Sequence, residues 1–229
     1  MDNKSRNVSF PEFPSPSAHR GTEALDRVRR MVQVTGQMIR ERPYHEITLD
    51  AILKESGGSK ATLRKYFGNK AGLFGVLLRD EARKCIAEAG QAARDQSTVE
   101  DALRAFAVVV LKFFCRPDAV EVYRAAIAEV KRTPEFAERF YYGGYRTFID
   151  ALAALLESWQ ERGVLKLSDA CADAERFLVM LRSGPHDQAL LGIVDAVTDR
   201  DIENQVQVCT KLFLHGVQVD AAADRNTTE

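Results

Sequence analysis

Residues 48–70, TLDAILKESGGSKATLRKYFGNK, decide the fold. They predict a helix, a glycine turn, a second short helix and the start of a third. Thr48 can cap the first helix, and Gly57 can end it because glycine adopts a positive φ without a Cβ clash. Ser59 can cap the second helix. This layout is that of a helix-turn-helix, although an ordinary αα-hairpin with a solvated basic face has the same spacing.

The second short helix has an apolar side, Leu63 and Phe67, which leaves its other side for DNA. Ala61 and the Thr62 methyl suit a thymine methyl in the major groove. Asn69 can cap the third helix, and Lys70 in its first turn suits a phosphate at that helix N-terminus. The predicted DNA contacts are Thr48, Ser59, Lys60, Ala61, Thr62, Arg64, Lys65, Tyr66 and Lys70.

The run SKATLRKYFGNKAGL, residues 59–73, resembles the TetR family signature Ser-x-Gly-Thr-Leu/Ile-Tyr-x-Tyr/His-Phe-x-x-Lys-x-x-Leu. The matching residues are Ser59, Thr62, Leu63, Tyr66, Phe67, Lys70 and Leu73. The preceding block, PYHEITLDAILKESGG, is similar to the family through Tyr44, Thr48, Leu49, Ile52 and Gly57. Four positions depart from the family pattern: Pro43 replaces Gly, Gly58 replaces Val, Ala61 replaces Gly and Arg64 replaces Tyr.

The charge is divided unevenly along the chain. The whole chain carries a net charge of −1, which argues against a protein that coats nucleic acid generally. Residues 20–80 hold 12 basic and 7 acidic residues, whereas residues 81–229 hold 18 and 24. A basic module joined to an acidic one is expected if only the first faces phosphate, although segments also vary in charge for no functional reason.

The remaining sequence predicts helices and no sheet. We expect helices over about 22–41 and 70–94, a capping box of Ser97 and Glu100 before a helix over 99–114, and a helix from Pro117 to about Lys131. A helix from Pro134 to about Gln160 has a weak point at Gly143-Gly144, and others cover about 169–182 and 200–216. Ser183-Gly184-Pro185 predicts a stop. The predicted domains are a disordered tail (1–20), a helix-turn-helix domain (21–80), a helical regulatory domain (81–218) and a second tail (219–229).

Residues 119–195 resemble the C-terminal domain of one TetR subgroup, which implies an all-α domain that binds a ligand and forms a dimer. Aromatic residues cluster here, and most are expected in the core. The predicted ligand contacts are Phe114, Tyr123, Tyr141, Tyr145, Phe177 and Met180. The predicted dimer contacts are Phe177, Leu181, Val206, Leu212 and Phe213.

Several classes of site are missing from the sequence. The four histidines are far apart, no zinc spacing, P-loop, dinucleotide fingerprint or nucleophile elbow appears, and no cofactor or metal is expected. His186 beside Asp187 is predicted to be a polar pair in a loop. No apolar run reaches the length of a membrane span, and four widely spaced cysteines suit a reducing cytoplasm.

The sequence therefore predicts an all-α, cytoplasmic homodimer that binds a palindromic operator in double-stranded DNA. It is expected to be a repressor, not an enzyme, and to release DNA when a small molecule binds its second domain. Two alternatives stay open. One is a TetR-like activator or ligand-independent DNA binder, and the other is an all-α enzyme or carrier with a vestigial helix-turn-helix.

Overall fold

A computed structural model describes residues 22–42, 44–128 and 130–217. Within these residues the chain is helical without strands, so the predicted all-α class is confirmed. The helices are α1 (Thr22–Glu41), α2 (Leu49–Ser56), α3 (Lys60–Phe67), α4 (Lys70–Arg94), α5 (Val99–Phe114), α6 (Pro117–Ala128), α7 (Pro134–Arg139), α8 (Arg146–Glu161), α9 (Ala170–Arg182), α10 (Pro185–Leu190) and α11 (Asp199–Val217). The predicted tails, 1–20 and 219–229, lie outside the described residues.

The chain forms two compact units. The first contains the described residues up to Ala82 together with Glu121–Thr147, and the second contains Arg83–Val120 with the described residues from Phe148 onward. The first unit is thus built from two separate stretches of chain. The predicted domain boundaries stay a prediction.

The first unit has α1 as its base. This helix packs against α2 and α3, and its buried face includes Val28 and Met31. Ile52 from α2 and Leu63 from α3 belong to the same core cluster. Phe136, from the later stretch of chain, is fully buried in it. The apolar face of α7 therefore helps to complete the core beneath the helix-turn-helix.

The second unit is organised around α11, which packs against α5 and α9. Its core takes one apolar face from each of the four long helices that it contains. That core includes Phe106, Val110, Ile149, Leu152, Phe177, Leu178, Ile202 and Val206. Removing these large side chains from water is the main stabilising contribution to the unit.

The structure corrects two local predictions and adds one helix, α10, after a predicted stop at which α9 does end. The cap of α5 is Thr98 rather than Ser97: its Oγ1 accepts from the Asp101 N–H at 3.1 Å, because the helix begins one residue later than a Ser97 cap requires. The helix that starts at Pro117 ends at Ala128, before the predicted Lys131. The predicted stop at Ser183-Gly184-Pro185 is followed at once by α10, with Pro185 at its first position, where a missing N–H costs nothing.

The predicted weak point at Gly143-Gly144 is a change of helix type. Residues Phe140–Tyr145 form a π-helical segment between α7 and α8. Both glycines are buried there. A π segment within an α-helix is uncommon and redirects the side chains that it carries.

Candidate DNA-binding site

The caps of the helix-turn-helix are those that the sequence predicts. Thr48 Oγ1 accepts from the Ala51 N–H at 3.2 Å, and Ser59 Oγ accepts from the Thr62 N–H at 3.1 Å. Gly57 has a φ of 67° and ends α2 in the left-handed region. The hydrogen bonds and the glycine fix the short turn between α2 and α3, both of which pack against α1.

The predicted DNA contacts form an accessible surface around α3. Thr48, Ser59, Lys60, Ala61, Arg64 and Lys65 are exposed, and Thr62, Tyr66 and Lys70 are half-buried. Leu63 and Phe67 point into the core, as the apolar spacing predicts. A cleft of about 800 Å³ between α2 and α3 is lined by residues that include Lys60, Ala61 and Arg64.

Lys60, one of the predicted base contacts, forms an ion pair with Asp50. Its Nζ lies 2.9 Å from the Asp50 carboxylate, and both side chains are about three-quarters exposed. An ion pair this exposed contributes little to stability. It does place a negative charge on the surface where phosphates would approach, which sequence reasoning missed.

Lys70 is held by Tyr44. The Lys70 ammonium donates to the Tyr44 carbonyl at 2.6 Å and lies 3.7 Å from the centroid of the Tyr44 ring. The hydrogen bond and the ring contact together fix the position of the ammonium charge. The predicted phosphate contact of Lys70 stays a prediction, now with a defined position for the charge.

The four departures from the family signature differ in what surrounds them. At Gly58, a Cβ atom would meet the Met31 side chain, which fills the space that the usual valine takes. Ala61 and Arg64 line the α2–α3 cleft. Pro43 lies outside the described residues.

The second stretch of the first unit contacts the start of α4. The Asn69 side-chain amide donates to Glu135 Oε2 at 2.8 Å, while Arg139 donates to Glu135 Oε1 at 2.7 Å. These hydrogen bonds hold the pKa of Glu135 below its usual value. Asn69 also caps α4 by accepting from the Gly72 N–H at 2.8 Å. Asn69 therefore links the helix-turn-helix to Glu135 on α7, 66 positions later in the chain.

An aromatic cluster lies beside this link. The rings of Tyr44 and Phe136 are stacked with centroids 4.3 Å apart, and Phe74 meets Tyr44 edge-on at 4.5 Å. Aromatic pairs at such distances add stabilisation beyond the area that they bury. Together with Lys70, they fix the place of α7 on the first unit. Tyr44 and Phe136 are too far apart in sequence for local spacing to predict their contact.

The predicted ligand contacts fall in both units. In the first unit Tyr141 and Tyr145 have ring centroids 5.9 Å apart in the π segment, and Tyr123 stacks on Phe140. In the second unit Phe114 packs against Phe148, Phe177 packs against Phe213, and Met180 is half-buried. Their role as ligand contacts stays a prediction.

The predicted dimer contacts are mostly interior residues. Phe177, Leu181, Val206 and Phe213 are buried within one copy of the chain, whereas Leu212 is 61% exposed. Val208, four residues before Leu212, is 55% exposed, and Val179 on α9 is 51% exposed. Of these three exposed residues only Leu212 was a predicted dimer contact, because α11 has apolar residues around most of its circumference and spacing cannot separate its faces.

His186 differs from its prediction because it belongs to α10 and is buried. Its ring lies 6.3 Å from that of Phe114, and Nδ1 is 3.7 Å from the Asp187 carboxylate. Burial and the charge of Arg182 lower the pKa of His186. The described residues contain no cluster of side chains suited to hold a metal ion. None of their helices is long and apolar enough to cross a bilayer.

Two family models cover most of the helices described above. Residues 32–77 match the model of bacterial regulatory proteins of the tetR family, and residues 101–216 match the C-terminal domain of AefR-like transcriptional repressors. The chain belongs to the TetR family. It is a DNA-binding transcriptional regulator, and its family is one of regulators rather than enzymes. The predicted helix-turn-helix domain with a helical C-terminal domain is thereby confirmed.

Solved TetR-family structures share the fold. The flavonoid-responsive regulator FrrA is 30% identical, with a TM-score of 0.62 over 85% of this chain and 98% of that one. A TetR-family regulator from Mesorhizobium loti is 19% identical, with a TM-score of 0.73 over 88% of this chain and 100% of the other. One from Agrobacterium tumefaciens is 20% identical, with a TM-score of 0.63 over 86% and 97%. No curated protein matches the chain.

Proposed function

We propose that this TetR-family regulator is a cytoplasmic homodimeric repressor that releases a palindromic operator when a small aromatic molecule binds its helical C-terminal domain. The observation that carries the proposal is the exposed surface of α3, with its Ser59 cap and the accessible side chains of Lys60 and Ala61. The match of residues 101–216 to AefR-like repressors supports the repressor assignment.

The DNA contacts divide into two groups in this proposal. Lys60, Ala61 and Thr62 approach base edges, with the Ala61 and Thr62 methyl groups suited to thymine. Thr48, Tyr66 and Lys70 contact phosphates and set the register. The remaining proposed contacts are Ser59, Arg64 and Lys65. Two copies related by a twofold axis would place their α3 helices about 34–36 Å apart, or at a larger spacing with the same symmetry.

The proposed dimer contact is the exposed apolar face of α11 and α9. Val208 and Leu212 share one face of α11, and Val179 is exposed on α9, which packs against α11. Large apolar side chains that stay exposed in one copy suit an interface between two. Leu212→Glu is expected to give a monomer in sedimentation, whereas Leu191→Glu, at an exposed leucine beyond α10, serves as the control.

The proposed effector is a planar aromatic compound of the flavonoid class. The 30% identity with FrrA, described as flavonoid-responsive, supports this class, as do the predicted aromatic contacts in this chain. Binding of effector and DNA would weaken each other by linkage, because each favours a different dimer state.

The test measures DNA release. A duplex selected from random sequences by the full-length protein is titrated with flavonoids, and a saturated fatty acid serves as the chemical control. A reporter driven by that operator separates a repressor from an activator. Binding that no flavonoid weakens would contradict the proposed effector class, and reporter activity that rises with the regulator would contradict repression.

A further inference from the structure

We infer that Arg132, in the segment between α6 and α7, binds the DNA backbone beside the helix-turn-helix and extends the DNA-binding surface of the first unit. The inference rests on the DNA binding of the proposed function and adds a phosphate contact from outside the helix-turn-helix. It follows from a cleft in which Lys70 is a proposed DNA contact and Arg132 is not.

The cleft has a volume of about 360 Å³ and is lined entirely by the first unit. Tyr44, His45, Asn69, Lys70 and Ala71 line one part of it, and Arg132 and Thr133 line the other. Its two cationic side chains, Lys70 and Arg132, come from stretches of chain more than sixty residues apart. A guanidinium presents a fork of N–H donors that matches phosphate oxygens.

The cleft adjoins the proposed DNA-binding surface around α3. Asn69 lines this cleft and also the larger one between α2 and α3, which Lys60 and Arg64 border. A DNA strand whose bases face α3 would therefore bring its neighbouring phosphates toward Arg132. Because contacts of this kind neutralise phosphate and release counterions, they add affinity without reading sequence.

The segment that carries Arg132 is held in place. Three residues later, Glu135 accepts from Asn69, and Phe136 is fully buried against Tyr44. Arg139 packs so closely on α4 that a Cβ atom at Gly75 would lie 3.0 Å from its Cδ. The position of Arg132 relative to Lys70 is thus set by contacts on the C-terminal side of the segment.

The residues that line the cleft include two cationic side chains, Lys70 and Arg132, and no carboxylate. The nearby carboxylate of Glu135 is engaged by Asn69 and Arg139. Lys131 and Arg132 are both exposed, so a ligand can reach them from solvent. An extended polyanion fits this arrangement better than a small apolar molecule, because the cations lie along an open surface.

The test compares charge variants on a duplex selected from random-sequence DNA by the full-length regulator. Affinity is measured by fluorescence anisotropy across a salt series for the wild type, Arg132→Ala and Arg132→Lys. Lys166→Ala is the matched control, since it removes one exposed positive charge from the second unit. Melting temperatures establish that every variant is folded.

Arg132→Ala is expected to weaken binding several-fold to both the selected duplex and an unrelated one. The slope of log affinity against log salt should fall by about one per half-site. Arg132→Lys should keep most of the slope, whereas a merely structural role of Arg132 would leave the slope unchanged. If Arg132→Ala matches Lys166→Ala while the wild type binds the duplex, the inference is overturned and DNA binding stands. A wild-type protein that selects no duplex would overturn both.

Discussion

The terminal methyl carbon of Met31 occupies the place that a Cβ atom on Gly58 would take. Met31 lies on α1 and is fully buried, and Gly58 follows the turn after α2. The φ of Gly58 lies outside the left-handed region, so its backbone would accept a side chain. A side chain at Gly58 is therefore opposed by packing rather than by backbone conformation, and it would require the end of the Met31 side chain to move.

We predict that Gly58→Val destabilises the protein by about 1–3 kcal/mol, because the added side chain overpacks the core. Met31→Ala should cost about 2–5 kcal/mol through the cavity that it leaves. The double variant should lose less than the sum of the two, by roughly 0.5–3 kcal/mol, since the valine fills space that methionine vacates. Urea unfolding measures all four proteins, and strict additivity would contradict the assigned contact.

Alanine substitutions at Gly72 and Gly90, which both lie on α4, are predicted to have opposite effects on stability. A Cβ atom at Gly72 would overlap the backbone carbonyl oxygen of Phe67, which cannot move as a side chain does. At Gly90 the nearest atom is the Arg94 Nη1, at an ordinary 3.6 Å. Gly90→Ala should stabilise by about 0.5–1 kcal/mol, the usual gain of alanine over glycine in a helix.

Gly72→Ala should instead destabilise by at least as much, and it should weaken DNA binding because it disturbs the Asn69 cap of α4. Thermal unfolding of both variants checks the pair. Equal stabilisation by the two substitutions would show that the start of α4 is not packed as described.

Removal of the Asp50 carboxylate should strengthen DNA binding. Asp50→Ala frees Lys60 from its 2.9 Å ion pair and removes a negative charge that phosphates would meet. Stability should change by no more than about 0.5 kcal/mol, because the pair is exposed. Fluorescence anisotropy at low salt measures the gain in DNA affinity. The control is Asp95→Ala, which removes an exposed carboxylate from the second unit. A loss of affinity would mean that Asp50 positions Lys60 for its contact.

Cys115 should resist alkylation in the folded protein. Burial raises the pKa of its thiol to about 12, so the reactive thiolate is scarce at pH 8. Iodoacetamide labelling followed by mass spectrometry should modify Cys115 slowly in the native state and quickly in denaturant. Rapid labelling of the native protein would contradict the partly buried position of Cys115 and its raised thiol pKa.

The same shift has a consequence for stability at high pH. The unfolded thiol loses its proton near pH 9 while the folded thiol keeps it to about 12. The unfolded state therefore binds fewer protons in this range, and the free energy of unfolding should fall as pH rises from about 9 to 12. Cys115→Ala should reduce the fall in the free energy of unfolding between about pH 9 and 12.

Local signals predicted the helix-turn-helix well. Thr48, Gly57 and Ser59 act through neighbours within four residues, so their caps could be read from the sequence. The start of α10 was missed because Gly184-Pro185 serves equally well as a helix stop and as the entry to a new helix. The sequence could not decide which residue caps α5, because the adjacent Ser97 and Thr98 both carry a hydroxyl group that can cap a helix.

Contacts between residues far apart in the sequence could not be predicted in the same way. The pairing of Asn69 with Glu135 and the stacking of Tyr44 on Phe136 depend on how distant helices pack. Apolar spacing could show that α11 has buried residues. It could not separate Val206, which is buried in one copy, from Leu212, which is exposed.

The two-stretch construction of the first unit bears on how the chain is made. Tyr44 and Phe74 are synthesised long before Phe136, the ring that completes their cluster. A nascent chain that ends at Ala82 would leave this apolar surface open to water. The first unit, which contains the helix-turn-helix, can therefore complete its core only after Thr147 has left the ribosome. A gene fragment that ends just after the helix-turn-helix would yield an unstable, aggregation-prone product.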